Sequence, residues 1–267
     1  MLVLGLESAT PVASAALADE RGLLGEVLLN VGLTHSEQLL PMIDDLLRQC
    51  RRTIGDVTAV GVSAGPGSFT GLRIGMATAK ALAQGLSVDR KVRLLAVPTL
   101  EAMAWQMMGQ TQAVSPMLNA RREQVYAGLY RWRREDDAPT AGQAVQELPL
   151  GEIFAARQRG KKERLPAGAG EGWSLDCLIP PEAVGPEAWA ERLGGLEQPL
   201  CLLGDGAAMY EEIWRRELGE GLAILPPYLG LSRGSFIALA AWKELEKEGT
   251  QDGRDDFSMK PLYLRGI

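Results

Sequence analysis

The run Ser63-Ala-Gly-Pro-Gly-Ser-Phe-Thr-Gly-Leu-Arg-Ile-Gly75 carries the residue types and spacing best suited to chemistry in this sequence. An apolar stretch precedes it and a helical pattern follows, which places it at a strand-to-helix turn. Glycines at such a turn accept positive φ and let a ligand approach the backbone, while the helix N-terminus beyond offers free N–H groups and a positive dipole end. Gly65, Gly67 and Ser68 are thus candidate contacts for a phosphate or another anion. The same turn also reads as a tight connection with no ligand. It is not the GxxxxGK[ST] phosphate loop, since no lysine follows, nor a GxGxxG dinucleotide fingerprint.

Four other features carry chemistry on one reading and plain structure on another. Gly204-Asp-Gly-Ala207 suits an adenosine or phosphate edge, with Asp205 as a polar contact, or an ordinary turn with Asp205 as a helix cap. Glu7, after the first apolar run, and Asp205 are the carboxylates that phosphoryl transfer would need across a cleft. His35 is the single histidine, so no two-His metal set can be assembled; it reads as a structural or interface residue, or as a catalytic base. Arg121 and Arg122, with Arg131, Arg133 and Arg134 close in sequence, form a basic concentration that suits nucleic acid phosphates or a solvated face.

The elements that position these residues follow from periodicity. Residues 2–6, 13–18 and 23–29 read as three strands joined by short turns. From Thr34 the apolar spacing becomes helical through Leu39, Leu40, Ile43, Leu46 and Leu47, with Thr34-x-x-Glu37 as a capping box and Pro41 predicting a kink near 37–41. A strand at 57–63, the glycine-rich turn, a helix at 72–86, a strand at 92–97 and a helix at 100–108 complete the first half. A second half repeats the theme with strands near 113–118, 124–132 and 200–203 and helices at 207–217 and 235–248. Residues 134–198, rich in Gly, Pro and charge, read as a variable insertion. The expected division is a lobe at 1–108 and a second at 109–267.

At 267 residues two lobes sharing a cleft are expected, and an apolar share of 46% with 23% charged residues excludes a disordered chain. The net charge of -6 argues against unaided binding of a nucleic acid backbone. Three cysteines without a CxxC pair, and no membrane-length apolar run, point to a cytoplasmic protein with no membrane contact.

The segment Gly65-Pro-Gly-Ser-Phe-Thr-Gly-Leu-Arg-Ile-Gly75 resembles the signature of the TsaB (YeaZ) family. Gly5-Leu-Glu-Ser8, Thr34-His-Ser-Glu-Gln-Leu-Leu-Pro41, Asn119-Ala-Arg-Arg-Glu-Gln-Val-Tyr126 and Pro261-Leu-Tyr-Leu-Arg265 fall where the resemblance wants them. The family usually has aspartate where this chain has Glu7, and commonly where it has Asn119. The resemblance implies an α/β, two-lobed fold of the actin-like, sugar-kinase and Hsp70 ATPase (ribonuclease H-like) type, each lobe a mixed sheet flanked by helices. It also implies a role in forming N6-threonylcarbamoyladenosine in tRNAs that read codons beginning with adenine. The catalytic paralogue, TsaD, carries a His-x-x-x-His pair where this chain has Thr99 and Met103, neither of which replaces imidazole at a hard metal. The implied role is a noncatalytic subunit that pairs with TsaD, lets TsaE join, meets tRNA only through the complex, and forms a homodimer when alone. No cofactor is required, although weak ATP or ADP binding fits the fold. The expected partner surface is His35, Leu39, Leu72, Ile74 and Met76. The alternatives are a stand-alone metallo-endopeptidase or a small-molecule kinase on the same fold.

Overall fold

An apolar run without alternation, such as Val3–Glu7, is a strand covered on both faces. The computed structural model describes residues 1–32, 35–88, 90–136, 172–196, 199–219, 221–248 and 259–264. In it β1 (Val3–Glu7) is wholly buried and pairs antiparallel with β2 (Ala13–Asp19), which pairs antiparallel with β3 (Gly22–Leu29). Helix α1 (His35–Gln49) leads to β4 (Ala59–Ser63), parallel to β1, and α2 (Phe69–Leu86) leads to β5 (Arg93–Val97), parallel to β4. The sheet order is β3-β2-β1-β4-β5. A short helix α3 (Thr99–Ala104) follows, continued by a 3-10 turn at Trp105–Met107.

The second half repeats this order. Strands β6 (Ala113–Arg121), β7 (Gln124–Arg134) and β8 (Trp173–Val184) form an antiparallel meander. Helix α4 (Pro186–Gly194) leads to β9 (Leu200–Leu203), parallel to β6. Helices α5 (Asp205–Met209) and α6 (Glu211–Leu218) lead to β10 (Ala223–Ile224), parallel to β9, and α7 (Gly234–Glu248) follows. Read from β8, the order is β8-β7-β6-β9-β10, the first sheet repeated strand for strand. The fold is two-lobed α/β of the ribonuclease H-like kind, each lobe a mixed sheet flanked by helices.

Several expected elements shift. Residues 173–194, expected within an insertion, are β8 and α4 of the second lobe itself, with β8 paired along β7 from Trp173 to Val184. The Pro180-Pro181 step fits because β8 is an edge strand with register shifts opposite 127–130, where lost amide donors cost no ladder bond. Residues 137–171 of that expected insertion, and the Thr34 capping residue, lie outside the described residues. Helix α1 runs unbroken through Pro41, which sits on its exposed side.

Helices cross between the two lobes: α7 follows the second lobe in sequence and lies on β1, β2 and β4 of the first. Reciprocally, α3 packs against β6 and β7, with Trp105 edge-on to Trp132 at 5.2 Å and the Trp132 indole N–H donating to the Ala104 carbonyl at 2.9 Å. One continuous core joins the two sheets through these helices. Contact of α7 with the first sheet is made backbone to backbone. A Cβ on Gly5 would lie 2.3 Å from the Gly234 carbonyl oxygen, and one on Gly61 would lie 2.8 Å from the Ala241 Cβ.

Polar groups lock the entry of α7. The Ser14 hydroxyl accepts from the Gly234 N–H and donates to Glu26, and the Glu26 carboxylate accepts from the Ser235 N–H, each at 3.0 Å. A carboxylate at the helix N-terminus also complements its dipole, and Arg233 pairs with the same Glu26 at 2.7 Å. Just before the helix, the Ser232 hydroxyl donates to Glu7 Oε2 at 2.8 Å, and the Ala9 N–H donates to Glu7 Oε1 at 2.5 Å. Burial pushes the Glu7 carboxyl up to about 7, against the opposing pull of hydrogen bonds from Ser232, Ala9, Thr10 and Ser63.

Two predictions follow from this packing. Gly5→Ala forces α7 off the sheet and costs on the order of 3 kcal/mol, whereas Gly85→Ala, which meets nothing within 4 Å, adds roughly 0.5–1 kcal/mol of helix stability; urea unfolding of both variants checks the contrast. Because the folded pKa of Glu7 is raised, its contribution is fully present below pH about 4.5, the unfolded value, and is lost as pH rises through about 7. The loss amounts to about 3 kcal/mol. Glu7→Gln therefore flattens the fall of Tm between pH 5 and 8, and an unaltered slope in thermal melts would show that Glu7 is not its source.

Candidate functional site

The glycine-rich turn, the β1–β2 turn and the start of α1 form one wall of a cleft of about 450 Å³, and the end of β6 with the start of α5 forms the other. Gly67, Ser68 and His35 face Asn119, Arg121 and Asp205 across it. Of the sequence candidates, Gly67, Ser68, His35, Arg121 and Asp205 line this cleft, and Glu7, Gly65 and Gly204 do not. Phe69, Thr10 and Tyr126 also line the cleft; no local signal distinguishes these three, since only the pairing of the two lobes brings them there.

Two glycines of the turn are packed against backbone from other parts of the chain. A Cβ on Gly65, whose φ is +108°, would lie 2.5 Å from the Leu262 carbonyl oxygen, and one on Gly67 would lie 2.3 Å from the Ala9 carbonyl oxygen. The Ser68 N–H donates to that Ala9 oxygen at 2.7 Å, and the Leu262 N–H donates to the Ala64 oxygen at 2.6 Å. Ser68 caps α2 by accepting from the Gly71 N–H at 3.2 Å. The glycines thus serve close backbone contacts on one side of the turn, while Gly67 and Ser68 line the cleft.

The carboxylates do not form a reacting pair. Glu7 is sealed beneath the β1–β2 turn with no solvent exposure, held as described above. Asp205 Oδ1 accepts from the Asn119 N–H at 3.0 Å, joining the end of β6 to the first turn of α5. Burial raises the Asp205 carboxyl above its ordinary value, opposed by the amides of Asn119 and Gly206 and by the Arg121 charge. Asn119 Oδ1 in turn accepts from the Arg121 N–H at 2.8 Å, which helps hold Arg121, Arg122 and Glu123 in left-handed backbone at φ +63°, +51° and +56°.

Thr99 and Met103 are occupied structurally. Thr99 is fully buried and clamps the turn from both sides: its hydroxyl accepts from the Gly65 N–H at 3.1 Å, and its own N–H donates to the Gly65 oxygen at 2.8 Å. Met103 is buried in the interlobe core against Gly204. Among the described residues, no three His, Cys, Asp or Glu side chains converge to hold a metal ion.

The remaining candidates separate. The basic residues do not form one patch: Arg121 and Arg122 sit at the β6–β7 tip, while Arg131, Arg133 and Arg134 lie roughly 30 Å away along β7, with Arg133 paired to Asp176 at 2.8 Å and Arg134 over the Trp173 ring. His35 Nε2 donates to the Thr10 carbonyl at 2.9 Å, and the ring packs against Gly71, so it ties α1 to the β1–β2 turn and α2. Of the expected partner surface, Leu39, Leu72 and Met76 are buried in the first lobe's own packing, at 1%, 0% and 3% exposure. Ile74 is half-buried, and the outward positions of the same helices include Leu40, Phe69, Arg73, Ala77 and Ala81. Apolar spacing alone marks both helices as amphipathic without saying which of two adjacent apolar residues turns outward.

No helix among the described residues is long and apolar enough to cross a membrane. Comparison with known proteins places this geometry. The family model described as TsaD, tRNA N6-adenosine threonylcarbamoyltransferase, matches residues 30–265. The tRNA threonylcarbamoyladenosine biosynthesis protein TsaB of Bacillus subtilis (strain 168) is 33% identical over 253 residues, covering 92% of this chain and 100% of that protein. The protein of the same name from Escherichia coli (strain K12) is 30% identical over 60% of this chain and 67% of its own length. The solved structure of YeaZ from Pseudomonas aeruginosa superposes with a TM-score of 0.66 at 22% identity, covering 98% of this chain and 99% of that one. With its doubled β-β-β-α-β-α-β order and its glycine-rich turn between β4 and α2, the chain belongs to the TsaB (YeaZ) family of tRNA threonylcarbamoyladenosine biosynthesis proteins.

Proposed function

We propose that this chain is a noncatalytic subunit of the cytoplasmic assembly that forms N6-threonylcarbamoyladenosine in tRNA. It pairs with TsaD through the outer faces of α1 and α2, allows TsaE to join, and meets tRNA only within the complex. The observation that carries the reading is the outward face of α2, where Phe69 is 44% exposed and Ala77 and Ala81 lie one turn apart in solvent. Small side chains let a second helix approach closely, and Leu40 on the adjacent α1 adds apolar area at 55% exposure. A self-complementary face of this kind also supports a homodimer when the partner is absent.

The cleft supports the noncatalytic part of the reading. Gly65 and Gly67 of the turn are packed against backbone carbonyls, Glu7 is engaged by four hydrogen-bond partners, and Asp205 bonds to the β6 end. Binding of ATP or ADP by this chain is expected to be weak and is not required for its role.

Ala77→Glu and Ala81→Glu, both at exposed positions, should leave stability within about 0.5 kcal/mol and abolish co-purification with the cognate TsaD. They should also abolish tRNA modification in a reconstitution that omits no other component. Leu72→Ala, by contrast, should cost about 2–5 kcal/mol of stability through lost core packing. Full co-purification and full modification by both alanine-to-glutamate variants would overturn the proposed surface.

A further inference from the structure

The C-terminal motif singled out in the sequence has a definite place in the structure. Met259 is buried in the first lobe's core at 5% exposure, and its carbonyl accepts from the Lys80 ammonium of α2 at 2.7 Å. Leu262 pairs its N–H with Ala64, and its carbonyl lies against Gly65 so closely that only glycine fits there. The Tyr263 ring then packs on Phe69 at 5.1 Å, tilted by 32°, and the Arg73 guanidinium lies 5.2 Å from the centre of the Phe69 ring. Lys80 and Phe69 are about 16 Å apart along α2, which matches roughly 13 Å of extended chain over residues 259–263 plus the reach of the lysine. The segment therefore runs extended and antiparallel along α2, anchored at both ends and at the glycine-rich turn.

We propose that residues 259–263 act as a latch that positions the first turn of α2, and with it the half-exposed Phe69 ring, for pairing with the partner. The inference rests on the reading that α2 is the partner-facing helix. It adds that the geometry of this face is set by the C-terminal segment. Phe69 opens the helix, where end fraying frees a side chain, and the described contacts that hold its ring are Tyr263 on one side and Arg73 on the other. Thr99 and Ala9 hold the turn itself from the other side, so removing the latch loosens the face without unfolding the lobe.

The test uses the full chain with Tyr263→Ala, Tyr263→Phe and Lys80→Met. Each is assayed by calorimetry against purified TsaD, by hydrogen exchange over residues 65–73, and by thermal melting. Tyr263→Ala is expected to weaken pairing by roughly three- to tenfold, to speed exchange across the first turn of α2, and to move Tm by less than about 4 °C; Tyr263→Phe restores wild-type pairing. If Tyr263→Ala lowers Tm further, Lys80→Met, which removes the anchor at the other end, carries the test with the same expected loss. Wild-type pairing by Tyr263→Ala and Lys80→Met, while Ala77→Glu abolishes it, would overturn the latch and leave the α2 surface standing. Wild-type pairing by all of these variants would overturn both.

Discussion

Everything in this molecule depends on how closely α7 approaches the first sheet. A helix on a sheet ordinarily stands off by a layer of side chains, and its spacing follows their size. Here Gly5 on β1 and Gly61 on β4 present bare backbone, and Gly234, Ala238 and Ala241 meet it. Close packing of this kind maximises dispersion contacts per unit area, but it tolerates no added methyl group. It also makes the first lobe incomplete until the end of the chain has folded back onto it. Such long-range closure places the molecule among high-contact-order folds, whose assembly waits on distant pairings.

That closure organises the cleft. Bringing α7 to β1 places Ser232 on Glu7, and Glu7 in turn draws in the Ala9 amide. With Ala9 so held, its carbonyl points at Ser68 and receives its N–H. A chain of short contacts thus runs from the C-terminal helix through a buried carboxyl group to the first turn of α2. The second lobe builds its wall by a different device, since there Asp205 fastens the start of α5 to the end of β6 through the Asn119 amide. The two walls share a topology but not a chemistry. Each uses a carboxylate for internal bonding, Glu7 beneath the first wall and Asp205 within the second.

Local pattern made much of this architecture legible. The three-strand meander, the strand before the glycine-rich turn and the helix after it follow from apolar spacing and from Gly and Pro punctuation, because each is decided by neighbours in sequence. The repeat was visible in outline, yet β8 was hidden, because Asp176, Cys177 and Pro180-Pro181 weaken its alternation and only an edge position makes them acceptable. The crossing of α7 onto the other lobe was not legible, since nothing in the helix itself names its sheet. Of the site, the two turns that carry Gly67, Ser68 and Asp205 were readable as strand-to-helix turns, while their meeting across one cleft was not. The burial of Glu7 under Ser232, and the choice of Leu40 over Leu39 as the outward residue, depend on tertiary contacts that no local window contains.

The glycine-rich turn shows why such motifs mislead. A glycine at φ +108° with no room for a Cβ records that something approaches the backbone, and it does not say what. An anion is one answer, because a helix N-terminus with free N–H groups attracts oxygen acceptors. A backbone carbonyl is another acceptor with the same demand for space and the same preference for an N–H donor. In this chain the Ala9 oxygen takes the Ser68 N–H, the Leu262 oxygen lies against Gly65, and the Ser68 hydroxyl satisfies Gly71. The Ala9 oxygen thus meets an N–H at this turn as an anion's oxygen would, and the Leu262 oxygen takes the space beside Gly65. A turn suited to binding a ligand becomes, with no change in its own residues, a joint where three distant parts of the chain meet.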